Sequence, residues 1–218
     1  MREKEEIIEI AESMAGKFAP HEILEDWFKL YALAIANSTE VVLNAIYKKR
    51  EAEYETIAKQ YTEEELKKFG RMTAILVDCL TRQPEDVLGY VYMLAAAKNK
   101  NAGQFFTPFN MSKAAARISV NGIDTSKEKI KIHEPSCGSG GMIVATFEEL
   151  RLKGINPQKT MWVEASDIDL RCVYMAYIQM SLLGIKGVVY QKDTLTPLTE
   201  EVEADHMFIT PAAKGMLI

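Results

Sequence analysis

Apolar positions in the first hundred residues recur at helical spacing. Ile7, Ile8, Ala11, Met14 and Ala15 form one stripe, and Ile23, Leu24, Trp27, Phe28, Tyr31, Ala34 and Ile35 form a stronger one. Asn37 or Ser38 is placed to end that second helix and cap the next, which carries Val42, Ala45, Ile46 and Tyr54 on a charged rod. Thr62 followed by Glu65 fits a capping box, opening a helix through Leu66, Phe69, Met72, Leu76 and Leu80. Pro84-Glu85-Asp86 reads as the first turn of another, with proline early and acids near the positive end of the dipole. The pattern predicts an all-helical N-terminal domain over residues 1–100. Trp27, Phe28, Tyr31, Tyr47 and Tyr54 fall among aliphatics at this spacing, as core residues do. The run KKREAEYE reads as a solvated helix face.

The period changes after the polar stretch KNKNAG. Proline pushes Thr107 toward an extended conformation, and Asn110 or Ser112 is placed to cap a short helix over Ala114 to Ile118. Ile130 and Ile132 alternate with Lys131 and His133 as a strand does. Glu134-Pro135-Ser136 follows, and Cys137-Gly138-Ser139-Gly140-Gly141 runs straight into the apolar segment MIVATFEEL. That is strand, glycine turn, helix. Further strands are predicted at Met161 to Ala165, Gly187 to Gln191 and His206 to Ile209, with a helix from Leu170 that stops at Gly184. Strands alternating with helices predict an α/β domain over residues 101–218. Its sheet is parallel, doubly wound and Rossmann-like, and the carboxyl ends of the strands share one crevice.

Composition narrows the function without choosing it. The 218 residues are 48% hydrophobic and 26% charged, with a formal net charge of −5, so no overall basic field draws the chain to nucleic acid. The three cysteines and three histidines have no metal-ligand spacing, which predicts no metal site and a reduced, cytoplasmic compartment. The charged start MREKEEIIEI is not a signal peptide, and no run of about 18 apolar residues could span a membrane.

The chemistry gathers at the crevice. Glu134 ends the first strand, Asp167 or Asp169 the second and Asp193 the third, so the three acids line one rim beside the glycine turn. Glycine lets the backbone approach a ligand, and the helix that opens after it presents free N–H groups. There is no GxGxxG and no Lys-Ser/Thr pair to close the loop, which excludes the dinucleotide and P-loop patterns. A carboxylate rim repels a pyrophosphate and suits an ammonium. The second-strand acid suits a ribose diol, and Asp193 is placed to accept from an exocyclic amine. These features describe a pocket for an adenosine with a cationic tail, such as S-adenosylmethionine. Taken alone, the glycine turn is as readily a plain connection. The segment around Phe105 and Phe106 is either a loop that closes over a ligand or a plain linker.

Five segments together resemble the adenine-N6 DNA methyltransferases of type I restriction-modification systems, the modification subunits. They are Asp86-Val87-Leu88-Gly89-Tyr90-Val91-Tyr92, Gly103-Gln104-Phe105-Phe106-Thr107-Pro108, Glu134-Pro135-Ser136-Cys137-Gly138-Ser139-Gly140-Gly141, Asp167-Ile168-Asp169 and Lys192-Asp193-Thr194-Leu195. The resemblance covers roughly residues 85–211, and the pairing of GQFFTP with EPSCGSGG is its most specific part. It implies that Phe106, Thr107 and Pro108 contact the methionine end of S-adenosylmethionine. It further implies that Glu134, Gly138 and Gly140 cradle the cofactor, that Asp167 holds the ribose, and that Asp193 holds the adenine. The implied fold is a seven-stranded sheet behind a helical domain, and the implied substrate is an adenine flipped out of DNA. The implied partners are DNA and a specificity subunit, or a second copy of the chain.

The resemblance breaks at the catalytic tetrapeptide. Where the family carries Asn/Asp-Pro-Pro-Tyr/Phe, this chain has Thr210-Pro211-Ala212-Ala213. Thr210 and Pro211 take the catalytic positions, but threonine is a shorter acceptor than an amide and Ala213 cannot stack on a base. A lost transition-state hydrogen bond costs about 2.7–4 kcal/mol, and lost stacking about 1–3 kcal/mol. The chain also ends just past the fourth strand, so the core is expected to be incomplete. The sequence is therefore read as a fragment or degenerate member with weak or no methylation of its own. The alternatives are a non-catalytic S-adenosylmethionine-binding or interaction subunit, or a methyltransferase of small molecules or proteins.

Overall fold

The computed structural model describes residues 2–97, 106–123, 129–196 and 202–216. The predicted domain boundary at 100/101, the KNKNAG hinge, Gln104 and Phe105 lie outside these. The helical half consists of α1 (Arg2–Ser13), α2 (Pro20–Ser38), α3 (Ala45–Ala58), α4 (Glu63–Arg82) and α5 (Val87–Ala97). The apolar stripes form as spaced: Ile7, Ile23, Trp27, Phe28, Leu33, Met72 and Leu76 are all fully buried, each worth about 1.5–3 kcal/mol. Thr62 and Glu65 close their capping box around α4, with the Thr62 amide donating to Glu65 Oε2 at 2.7 Å.

Three helix starts differ from the sequence reading, and at one of them Pro84-Glu85-Asp86 lies ahead of α5, which begins at Val87, not in its first turn. The helix read through Val42 starts only at Ala45, where Asn44 accepts from the Tyr47 amide, and Val41, Val42 and Leu43 stand exposed ahead of it. Segment α6 (Phe109–Asn121) begins directly after Pro108, since the proline ring fixes a backbone suited to that position and no later cap is needed. The charged run is also not wholly solvated. Arg50 is buried, stacks 4.6 Å over the Phe208 ring and donates to Met207 O at 2.7 Å.

The α/β half follows as β1 (Ile130–Glu134), α7 (Gly141–Leu152), α8 (Pro157–Thr160), β2 (Met161–Asp167), α9 (Leu170–Leu182), β3 (Lys186–Gln191) and β4 (Met207–Ile209). Short 3-10 turns, Ala204–His206 and Pro211–Lys214, flank β4. The sheet order is β1-β2-β3-β4. Strands β1, β2 and β3 are parallel and in step, with Glu134 beside Ala165 and Asp167 beside Gln191. The crossover helices α7 and α9 cover the face that carries Met161, Val163, Ala165 and Val189, all buried. The second layer that double winding implies would cover the opposite face, where Lys131, His133 and Glu164 are exposed and Trp162 is 41% exposed.

One expectation is corrected outright: β4 is antiparallel to β3, pairing Phe208 with Val189 and Ile209 with Val188. Its direction is fixed by packing. Phe208 is held between Tyr174 and Tyr177 of α9 and the Arg50 guanidinium of α3. The α/β half docks on the helical half chiefly through α9 lying on α2, and one hydrophobic core runs from Ile7 to Phe208.

Candidate functional site

The glycine turn folds back on the ends of β2. From the carboxyl end of β1 the chain passes through Gly138 and Gly140, both with positive φ (52° and 93°), before α7 starts. The Cys137 amide donates to Ser166 O at 2.9 Å, and the Gly138 amide donates to Asp167 Oδ2 at 2.8 Å. Asp167 is 8% exposed; its Oδ1 accepts from the Asp169 amide at 3.0 Å, and its carbonyl accepts from the Lys192 amide at 2.9 Å. A single residue thereby ties the turn to the end of β2 through its carboxylate and to the end of β3 through its backbone carbonyl. Asp169, the other acid at the end of β2, caps α9 and is held by the Arg171 fork, which also reaches Glu25.

A cavity of about 200 Å³ opens against this turn, lined by Asp86, Phe106, Thr107, Ser112, Ser136, Cys137, Gly138, Ser139, Gly141, Met142 and Asp167. Four residues singled out in the sequence therefore meet there: Phe106, Thr107, Gly138 and Asp167. The Phe106 ring lies 3.1 Å from where a Cβ on Gly138 would sit and packs on Tyr92 with centroids 5.3 Å apart. A side chain at Gly138 would be strained by the positive φ and would press the Phe106 ring aside. Glu134 is half-buried at the end of β1 and is not among the residues that line this cavity. Burial raises its pKa and the charge of Asp167 adds to the rise, against the Ser136 amide, which donates to it. Burial likewise pushes the Cys137 thiol well up.

The remaining predicted residues lie elsewhere. Pro108 is the exposed residue ahead of α6. Gly140 faces Ala176 of α9, whose Cα lies 3.2 Å from its would-be Cβ, so its small size serves helix packing. Asp193 lines a neighbouring depression of about 370 Å³ with Ile168, Gln191, Lys192 and His206, and its Oδ1 caps a turn at the Leu195 amide. Thr210 and Pro211 are not at the rim. An antiparallel strand ends where its parallel neighbours begin, and Thr210 is fully buried beside Gly187 at the start of β3. Its Oγ1 accepts from the Gly187 amide there at 3.0 Å. The four residue steps from Gly187 to Gln191 put it about 13 Å from the rim along the strand.

Sequence reasoning missed the floor of the cavity. Asp86, read as a first-turn acid near the positive end of the helix dipole, is 7% exposed and accepts from Ser139 Oγ (2.6 Å), Gln179 Nε2 (2.9 Å) and the Gly89 amide (2.9 Å). Gln179, fully buried, also donates to Ser139 O and accepts from the Val87 amide. The signal available was a lone glutamine within the otherwise apolar stripe of α9. Ser112, read only as a cap, is 1% exposed and lines the cavity.

The family model for N-6 DNA methylases matches residues 83–211. No curated protein matches the chain. Solved structures align with it, two of them as follows. One is a Listeria monocytogenes protein assigned to the class I S-adenosylmethionine-dependent methyltransferases, at 18% identity and a TM-score of 0.47 over 83% of this chain and 56% of that one. The other is the methyltransferase subunit of a type I restriction-modification system from Streptococcus thermophilus, at 15% identity and 0.44 over 78% and 37%. The chain thus spans about half of the first and about a third of the second. The matched family stretch exceeds half of the 218 residues and runs from ahead of Asp86 through the glycine turn to Pro211; on that ground, the chain belongs to the N-6 DNA methylase family.

Proposed function

We propose that this chain binds S-adenosylmethionine across the two neighbouring cavities and derives from an enzyme that methylates adenine N6 in DNA. The observation that carries the reading is the Gly138–Asp167 contact, with Phe106 closed over the glycine and a cavity beside it. The residues fit the cofactor on their own chemistry. A cavity of about 200 Å³ is below the range of about 300–1,000 Å³ for small-molecule sites, so it takes one end of the ligand. Phe106, Thr107, Gly138 and Glu134 would hold the methionine end, Asp167 the ribose, and Asp193 with Ile168 the adenine in the adjoining depression. Glu134 and Asp167 supply negative charge, which favours a sulfonium over a phosphate. When bound, S-adenosylmethionine supplies an activated methyl group.

Thr210 in this arrangement cannot orient an adenine amine toward a donor seated on the rim. The chain alone is therefore proposed to bind the cofactor and to transfer methyl weakly or not at all, which favours the reading of a cofactor-binding subunit that acts with a partner. Calorimetric titration tests the first part: the wild type gives a binding isotherm with S-adenosylmethionine, and Asp167→Ala weakens it at least tenfold. Absence of binding heat at millimolar ligand refutes the proposal. Incubation with DNA and methyl-labelled cofactor tests the second, and robust label in adenine overturns it.

A further inference from the structure

The sheet face that α7 and α9 do not cover carries an ordered set of side chains. Register places Lys131, Trp162 and Lys186 in one row across β1, β2 and β3, and His133, Glu164, Val188 and Ile209 in the next. Trp162 and Ile209 are exposed, and Val188 and Tyr190 are partly so. Strands β1 to β3 are parallel, and parallel sheets occur almost only with helices on both faces. The charges on this face are not evenly matched. Glu164 is engaged by the Tyr190 hydroxyl, which donates to its Oε1 at 2.8 Å. Lys131 and Lys186 form no ion pair among the described residues. Two strand spacings separate them, about 10 Å, which is the width of one α-helix with its side chains. A helix lying along β2 would rest on Trp162 and pass between the two ammonium groups. Lys129 ahead of β1 and Lys159 ahead of β2, both exposed, add positive charge at the same end of the sheet.

We propose that this face docks an acidic amphipathic α-helix of a partner chain, its apolar side on Trp162, Val188 and Ile209 and its flanking carboxylates on Lys131 and Lys186. The inference goes beyond the cofactor reading and does not depend on it. The seven residues of β2 span about 23 Å, so a helix of about 15 residues covers the strand. Glu164 sets a second condition, that the helix brings no acid over the middle of the face. The same carboxylate, with the net charge of −5, disfavours a nucleic acid as the occupant.

The test is calorimetric titration of the whole chain with two designed helical peptides of about 20 residues, long enough to hold a helix in water. They share one leucine-lined face and differ only at the flanking positions, glutamate in one and lysine in the other. The glutamate peptide binds at least tenfold more tightly, and the gap narrows as salt is added. Combining Lys131→Glu with Lys186→Glu reverses the order. Trp162→Ala weakens the glutamate peptide at least tenfold, as loss of a central aromatic anchor predicts. Thermal melting is measured alongside. Where the double variant melts lower, Lys131→Glu alone, on the edge strand, decides by narrowing the gap. Equal binding of the two peptides, an order that survives the charge reversal, or no binding at millimolar peptide overturns the proposal. A wild-type dimer in sedimentation that Trp162→Ala dissociates also overturns it, and makes a second copy the occupant. A single-stranded oligonucleotide that displaces the glutamate peptide, and that the charge-reversed variant no longer binds, overturns it in favour of nucleic acid.

Discussion

Asp86 joins three parts of the molecule that are far apart in sequence: its own helix entrance, the glycine turn at Ser139 and the middle of α9 at Gln179. There is little room for anything else. A Cβ on Gly89 would lie 2.2 Å from Asp86 Oδ2, and one on Gly141 2.8 Å from it. Replacing Asp86 with alanine strands three buried donors at about 1–3 kcal/mol each before relaxation, so Asp86→Ala is expected to lose at least about 3 kcal/mol in a denaturant titration. Asparagine keeps the shape, and the Ser139 hydroxyl can turn to accept. Burial raises the pKa of Asp86, against the hydrogen bonds from Ser139, Gln179 and the Gly89 amide. The folded chain then keeps this proton to higher pH than the unfolded chain does. The stability it contributes is full below the ordinary value of 3.8 and is lost as pH rises through the raised one. The unfolding free energy of wild type minus that of Asp86→Asn should therefore fall with rising pH across that window and level off above it. A difference that rises instead would contradict the assignment.

Strand β4 is where the element scale decides function. Its antiparallel course depends on Arg50, which donates to Met207 O and covers Phe208, while Lys214 beyond the strand pairs with Glu40 at 2.5 Å. Arg50→Ala should strip that cover and leave the Met207 carbonyl unpaired. In hydrogen exchange the Thr210 amide, which donates to Gly187 O at 3.0 Å, should then lose protection well before the amides of β2. Uniform loss across the sheet would show that Arg50 has no special hold on β4. Strand β3 has its own fixed point at Gly187. A Cβ there would lie 2.3 Å from Val163 O and 2.8 Å from Met180 Cε, so Gly187→Ala should cost about 1–3 kcal/mol, measured by chemical denaturation. Sequence legibility follows the same division. The helices at Ile23–Ile35 and Leu66–Leu80 and the strands at Ile130 and Met161 were readable because their apolar periods are long or flanked by turn residues. The direction of β4 was not, since the run Met207-Phe208-Ile209 has the same alternation either way and its anchor, Arg50, hides in a charged stretch. That Gly138 and Asp167 lie together follows from the strand and glycine-turn pattern, whereas Phe106 and Thr107 are drawn to the same place only by the family resemblance. Ser112 and Asp86 were not readable, because a polar residue at a helix entrance looks identical whether it faces water or a cavity.

At the scale of the whole molecule, the helical half and the sheet share one apolar core through α2 and α9. Calorimetric unfolding should therefore show one transition, with the van't Hoff and calorimetric enthalpies equal; two separable peaks would mean that the halves fold independently. No helix among the described residues is long and apolar enough to cross a membrane. Among the described residues, the sheet face opposite α7 and α9 leaves Lys131, His133, Trp162 and Glu164 exposed, and this has an optical consequence. The chain has two tryptophans. Trp27 is 1% exposed inside the helical half, its indole N–H donating to Thr73 Oγ1 at 3.0 Å, whereas Trp162 stands on that exposed face. Fluorescence from the two should separate under a soluble quencher such as iodide, the redder emission fading first and the bluer one persisting. Anything that settles on the open side of the sheet would shield the red emitter alone, so the molecule carries a built-in dye for finding whatever covers it.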